Sequence, residues 1–366
     1  LGMNLVIWND GVTVDGEKQM GDWHVFEDAC PHRLGPLSEG RVEADGNLLC
    51  SYHGWRFDGQ GDCADLPYSP ANVAERQRSS CRATCGAFPT CVADGFLWVF
   101  PRTGAQAHAD AKGVEMPLIS ELHDPALKGR WKWKVPAGVR DFPCGWDMMV
   151  ENTLDPAHFC AAHHGTLGNR YVDPAPYSFE TTRAIETESG FAVTGDFGEI
   201  EFQPPCLVKY VPNYGGMPFN GSLVLATYCV PTKPGWVRPL ATVLNDRDYE
   251  LGGTLAERAL GVFMAGLLPA WLGHVLSSVV LHQDAGLLYK QYRNLRERGY
   301  NPGYEAASVA SLEEAQAALA AGPAYEELVY TPTSVDKGVL LFRKWLRMRA
   351  GGGIPWACED VLPPRG

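Results

Sequence analysis

Cys30-Pro31-His32 and, seventeen residues later, Cys50-Ser51-Tyr52-His53-Gly54-Trp55 decide how the N-terminal part of this chain is read. A Cys-x-His and a Cys-x-x-His supply two thiolates and two imidazoles, one of each from each loop. With the cysteines on one iron and the histidines on the other, they form the ligand set of a histidine-bearing [2Fe–2S] centre. The ferredoxin type needs four cysteines at its cluster and does not fit. Mixed Cys/His sets also suit structural zinc, which stands as the competing reading of these four residues.

A second stretch, Glu151-Asn152 through Asp155-Pro156-Ala157-His158 to His163-His164-Gly165, carries different chemistry. Asp155 and His158 stand three apart and share a face if the segment is helical. His163 lies a further turn and a half along, so a kink or a helix end must precede it for both imidazoles to meet one metal. Gly165 is a natural stop. Two histidines and one distant carboxylate form the facial triad of non-haem Fe(II) oxygenases, with open positions for dioxygen and substrate. Alone, such an H-x4-H fits core histidines equally well; behind the first motif it points to iron.

Along the chain, short apolar strands cut by Gly, Pro and Asp fill Leu1 to Pro101, with Asn4 to Trp8, Trp23 to Glu27, Asn47 to Ser51 and Gly95 to Phe100 the clearest. Thr103 to Gly113 reads as linker. Arg130 to Val135 alternates as a strand, Trp146 to Ala162 has helical spacing, and Phe179 to Phe202 and Ser222 to Asn245 read as hairpins of one antiparallel sheet. Ala259 to Leu281 is nearly continuous apolar text. Its length would admit a membrane span, but Pro269, Gly273, His274, Ser277 and Ser278 favour a buried, substrate-lining helix. Ser311-Leu312-Glu313-Glu314 is a capping box opening an Ala-rich helix that ends at Gly322. Val339 to Arg349 reads as a strand leading into a final amphipathic helix.

The chain has 366 residues, 45% hydrophobic and 20% charged, enough for two domains with cores. A net charge of −12 argues against nucleic acid, which needs a basic footprint. Arg33, Arg41 and Arg56 flank the cluster loops and either offer an acidic electron donor a local positive patch or pair with nearby Glu39 and Glu43. Eleven cysteines follow no disulfide framework, which suits a reducing compartment. Cys160, between the two histidines, is expected to pack. No initiator Met, signal or transit peptide opens the text, and Leu1 to Trp8 reads as the second strand of its domain, implying an upstream strand.

The flanking Gly35-Pro36-Leu37, Tyr52, Gly54 and Trp55 resemble the cluster loops of Rieske domains, which favours the iron–sulfur reading over zinc. The whole chain resembles the Rieske-type non-haem iron oxygenases, and within them the chloroplast pheophorbide a oxygenase group. The matching text runs from Cys30 to Arg41, Cys50 to Trp55 and Glu151 to Gly165, then Pro332-Thr333-Ser334-Val335-Asp336 and Phe342-Arg343-Lys344-Trp345-Leu346. The resemblance implies an α+β chain: an antiparallel β Rieske [2Fe-2S] domain over 1–102, a linker over 103–125, and a helix-grip-like catalytic domain with an antiparallel sheet and mononuclear iron over 126–366. It implies Cys30, His32, Cys50 and His53 as cluster ligands, and His158, His163 and Asp284 as Fe(II) ligands. Asp155 becomes an acid bridging to a neighbouring subunit's cluster. Asp246, Asp248 and Glu250 are rivals to Asp284, and His164 is a rival to His163. The Asn152–Asp155 separation is one residue shorter than in ring-hydroxylating dioxygenases, which puts a supporting role for Asn152 in doubt.

The resemblance further implies a ferredoxin-dependent monooxygenase, in a chloroplast stroma or associated with its envelope or thylakoid, acting as a homotrimer on a hydrophobic substrate. Oxygenolytic ring opening of pheophorbide a in chlorophyll breakdown is the leading expectation. Hydroxylation of another chlorophyll-derived pigment, a bilin or an unrelated apolar compound is the alternative. A redox-sensing or electron-transfer Rieske protein of the chloroplast envelope is the reading from a different class. The group's C-terminal Cys-x-x-Cys and membrane-anchoring helices are not in this text, and a face dipping into a membrane surface stays open.

Overall fold

The computed structural model describes residues 3–348 apart from 213–222, 247–269, 301–322 and short stretches at 12, 15–16, 19–20, 167, 172–177, 187–188, 197, 234 and 324. The chain divides into two compact units, Met3–Leu118 and one running from Ile119.

The first unit is a set of short antiparallel strands. Leu5–Asn9, Trp23–Glu27 and Ala87–Phe88 form one sheet, and Arg41–Val42, Leu48–Leu49, Arg56–Phe57 and Cys63–Asp65 another. The alternation in Leu5–Asn9 puts Val6 and Trp8 inside and Ile7 outside. Val6, Trp8, Phe26, Leu37, Leu48, Phe57 and Leu66 form the core together with Cys30, Cys50, Cys63 and Cys85. The stretch read as linker holds a helix, Ala105–Lys112, which buries Ala107. It lacks an apolar stripe, which is why its periodicity gave no signal.

The second unit is built on a seven-stranded antiparallel sheet. Its order is Trp131–Val139, Trp236–Asp246, Leu223–Lys233, Leu207–Pro212, Gly198–Gln203, Gly190–Gly195 and Phe179–Glu186. One face is covered by the helices Trp146–Leu154 and Lys337–Met348, whose apolar residues close the core. Phe202 meets Phe342 and Trp345 edge-on, with ring centroids 5.1 and 4.9 Å apart. Burying rings of this size is worth about 1.5–3 kcal/mol each. The helix Ala270–Glu297 lies against Trp131–Val139.

Two local expectations change. Val339 to Arg349 does not begin as a strand. Lys337–Met348 is helical throughout, burying Val339, Phe342, Arg343, Trp345 and Leu346 at helical spacing. A capping box in which Thr333 and Asp336 satisfy each other's backbone groups leads into it. The helical text from Trp146 breaks in two, Trp146–Leu154 and His158–Ala162. Pro156 is the cause: the residue before a proline is pushed out of the helical region, and Asp155 is extended at φ −100° and ψ 103°. Asp155 and His158 therefore do not share one helix.

The predicted helix from Ser311 to Gly322, residues 213–219, Asp248, Glu250 and residues 259–269 lie outside the described residues. From Ala270 onward the apolar stretch is helical but exposes Trp271, Val275 and Val279, rather than being buried all round. Among the described residues no helix is long and apolar enough to cross a membrane.

Candidate metal centres

In the first unit, two loops repeat one backbone pattern. Cys30 N–H donates to Gly35 O and Leu34 N–H to Cys30 O, both at 2.8 Å; Cys50 N–H donates to Trp55 O at 2.8 Å and Gly54 N–H to Cys50 O at 2.9 Å. Each loop turns through a left-handed residue at the equivalent place, Leu34 at φ 57° and Gly54 at φ 71°. A Cβ at Gly54 would come within 3.2 Å of Pro67 Cγ, a tight contact added to a left-handed backbone that favours glycine. The effect is to bury Cys30 and Cys50 at 2% exposure while His32 and His53 stay nearer the surface. The two imidazoles meet edge-on at 4.7 Å between centroids, and Trp55 stacks on His32 at 4.6 Å. Burial pushes the Cys30 thiol up to about 11, with Cys50 adding to the rise. A metal centre would reverse this by holding the thiolate. Two buried sulfurs beside two paired imidazoles would hold a [2Fe–2S] cluster, the cysteines on one iron and the histidines on the other.

The positive patch is largely neutralised. Arg41 pairs with Glu43 at 2.6 Å, and Arg56 bridges Asp45 at 2.6 Å and Asp65 at 2.8 Å. Arg33 lies over the Tyr52 ring at 5.7 Å.

In the second unit, ligand atoms of His158, His163 and Asp284 lie within 4.8 Å of one another. Nε2 of His163 is 3.4 Å from Asp284 Oδ2, and Nε2 of His158 is 4.0 Å from Asp284 Oδ1. Local structure aims each ring. His158 opens the second helix and turns Nδ1 onto the Asp155 carbonyl; His163 caps that helix, with Nδ1 3.1 Å from Gln283 Oε1. With Nδ1 occupied, each imidazole presents Nε2 to the centre, the arrangement in which a metal-binding histidine is oriented from behind. Burial lowers the His158 pKa and favours the neutral, ligating form. Burial likewise raises Asp284, opposed by His158, His163 and the Asn152 side chain. Asp284 Oδ1 is buried without a hydrogen-bond partner, as a carboxylate oxygen awaiting a cation would be.

His164 is turned away from this centre, its Nδ1 accepting from Arg170 N–H and its ring against Tyr171. Cys160 is buried. Asp155 borders the same cavity; its carboxylate accepts from Ala157 N–H, and burial pushes it up to about 6. The cavity, about 310 Å³, is lined by Glu151, Asn152, Asp155, His158, Asp284 and Gln291 among others. Sequence reasoning gave no role to Gln283, Glu151 or Tyr325. Glu151 and Gln283 stood as polar residues inside motif text, and nothing marked Tyr325.

Two family descriptions match: the Rieske [2Fe-2S] domain over residues 1–80 and pheophorbide a oxygenase over residues 202–301. The chain is 30% identical to rice (Oryza sativa subsp. japonica) pheophorbide a oxygenase, over 99% of this chain and 64% of that protein. Along its whole length the chain is thus similar to Rieske-type oxygenases. It is also 27% identical to flavonoid 8-hydroxylase 2 of Ocimum basilicum, over 100% of this chain and 64% of that protein. It thus spans somewhat under two thirds of the length of these relatives. Among solved structures, NdmA of Pseudomonas putida CBB5 shares the fold, with a TM-score of 0.59 at 17% identity over 100% of this chain and 92% of that one. Rieske-type oxygenases carry a Rieske [2Fe-2S] cluster and a mononuclear Fe(II), and the two sets of side chains described above fit these groups.

Proposed function

We propose that this chain is a chloroplast Rieske monooxygenase acting on a hydrophobic tetrapyrrole, in the first place opening the macrocycle of pheophorbide a in chlorophyll breakdown. The observation that carries the reading is the His158–His163–Asp284 triad, of which His158 and Asp284 line one cavity, in a chain that also holds the two Cys/His loops. Identity to rice pheophorbide a oxygenase along 99% of the chain supports the substrate class, and the names of the relatives support the chloroplast.

In this reading Cys30, Cys50, His32 and His53 hold the cluster, and His158, His163 and Asp284 hold Fe(II). The two groups supply one-electron transfer and activation of dioxygen. The chain's own residues do the rest. Asp155 and Gln283 fix the two imidazoles through Nδ1, so that Nε2 of each faces Asp284. The Asp155 carboxylate, half-buried at the cavity edge, is the acid that links the centre to a neighbouring copy's cluster, which calls for a closed head-to-tail trimer. A ferredoxin with its reductase supplies electrons. It docks without much help from Arg41 or Arg56, whose charges are already met.

A second reading keeps the chemistry and changes the substrate. The cavity among the described residues, about 310 Å³, lies at the small end of the ~300–1,000 Å³ usual for such sites and has several polar walls. That favours a smaller planar aromatic, as the name of the Ocimum basilicum relative suggests. Incubating the iron-loaded protein with ferredoxin, its reductase, labelled dioxygen, pheophorbide a, related pigments and flavonoids separates the two. One labelled atom in a ring-opened pheophorbide supports the first reading. Label only in a flavonoid overturns the substrate.

A further inference from the structure

Beside the cavity lies a buried ionic cluster that none of the roles above uses. Arg343, on the Lys337–Met348 helix, is 3% exposed. Its guanidinium donates to Asp147 Oδ2, to Glu151 Oε2 (Nε at 2.9 Å) and to Tyr300 Oη at 2.6 Å. Tyr300 Oη donates in turn to Asp147 Oδ2 at 2.8 Å, and Tyr325 Oη hydrogen-bonds Glu151 Oε1. The Tyr325 ring also lies under the guanidinium, 4.0 Å from its carbon. All five side chains are buried.

Three features separate this cluster from an ordinary core ion pair. Within the five residues, one guanidinium faces two carboxylates, so full ionisation leaves an excess negative charge away from water. A carboxyl in that position is relieved by taking up a proton. Burial does raise Glu151 above the ordinary carboxylate range, against the lowering effects of Arg343 and Tyr325. The third feature is placement: Glu151 and Tyr325 line the cavity that His158 and Asp284 also line, whereas Arg343, Asp147 and Tyr300 do not. The charged or titratable groups facing Glu151 are Asp147 on its own helix, Arg343 on the Lys337–Met348 helix, Tyr325 on the Tyr325–Leu328 helix, and Tyr300.

We propose that Glu151 and Tyr325 form a proton relay into the metal cavity, Glu151 holding a proton in the resting protein and Tyr325 passing protons between Glu151 and the cavity. The proposal rests on the oxygenase reading. Inserting one atom of dioxygen into an organic substrate and releasing the other as water consumes two electrons and two protons. The electrons come from the iron–sulfur donor protein. The relay delivers a proton to the oxygen that leaves as water: Tyr325 gives up its hydroxyl proton and takes the one on Glu151 Oε1. Glu151 is then recharged from solvent. Arg343 holds the carboxyl in place through Oε2 and leaves Oε1 to the tyrosine.

The test uses the iron-loaded full chain. Infrared spectra at neutral pH, without substrate, should show a protonated carboxylic acid band. That band should shift when glutamate is carbon-13 labelled in the wild-type protein and be missing from Glu151→Gln. Tyr325→Phe, which removes one hydroxyl, should keep the cluster spectrum and KM. It should lower kcat on the order of 10²-fold and send donor electrons to hydrogen peroxide. A band unmoved by glutamate labelling, or a Tyr325→Phe variant with wild-type kcat, overturns the relay. The band is read without substrate, so its absence counts against the relay whatever compound is oxygenated. Failure to form any product counts against the oxygenase reading instead.

Discussion

Gln283 and Asp284, consecutive on one helix, bracket a single imidazole: Gln283 Oε1 is 3.1 Å from His163 Nδ1, and Asp284 Oδ2 is 3.4 Å from His163 Nε2. The amide sets the ring's orientation and tautomer and leaves Nε2 turned to the carboxylate. Replacing a partner behind a metal-bound histidine typically costs 10–100-fold in metal affinity. Gln283→Leu should therefore need about 10–100-fold more Fe(II) for half occupancy, measured by metal titration. His158→Ala should lose the mononuclear iron and all product while leaving the cluster's visible spectrum intact.

Gly54 supplies the left-handed turn of the second cluster loop, and a Cβ there meets Pro67. Gly54→Ala should cost about 1–2 kcal/mol of stability in the first unit. Calorimetry should show this unit melting earlier, with loss of acid-labile sulfide. Its counterpart in the other loop, Leu34, already tolerates a left-handed backbone, so Leu34→Gly should not weaken the cluster.

Arg343 holds two buried acids, compensating the Asp147 carboxylate and hydrogen-bonding the Glu151 carboxyl. Arg343→Leu strands them, and breaking a buried pair this way costs about 3–5 kcal/mol. Denaturant melts should report that loss. Adding Asp147→Asn and Glu151→Gln to the same variant should restore most of it.

Lys209, 7% exposed, bridges Glu201 at 2.8 Å and Glu121 at 3.0 Å. Burial would raise the Glu201 carboxyl, but Lys209 and Arg183 outweigh it and hold the pKa below its usual value. Folded protein thus binds fewer protons at Glu201 than unfolded protein does. Its contribution to stability is complete above the ordinary glutamate pKa, about 4.3, and disappears as pH falls through the lower folded value. A plot of melting temperature against pH should drop on the acid side in the wild type. The same limb should be shallower in Glu201→Gln.

Spacing made both candidate metal motifs legible, because the residues that each draws from one loop or one helix end are close in sequence. The break between the two helices was foreseen only as a kink somewhere before His163. Pro156 places it at Asp155, and that is what frees the Asp155 carbonyl to meet His158. Asp284 was named through resemblance, since nothing local ties it to histidines so far upstream. Least legible was the Arg343 cluster. Its carboxylate partners lie 192 and 196 residues away, and an arginine amid Val339, Phe342, Trp345 and Leu346 reads as the polar edge of a helix. Val339 to Phe342 invited a strand because that run is uniformly apolar, and uniform runs carry no period. The Thr333–Asp336 capping box was the overlooked helix signal.

The most direct test of the account is a single turnover under labelled dioxygen, with the cluster chemically reduced, iron loaded and pheophorbide a, related pigments and flavonoids offered in turn. The account predicts that one compound triggers oxidation of the cluster and acquires one labelled oxygen atom, and that Asp284→Asn does neither. A cluster that reoxidises equally with every compound and with none, leaving all of them unlabelled while both metal sites are full, would contradict it.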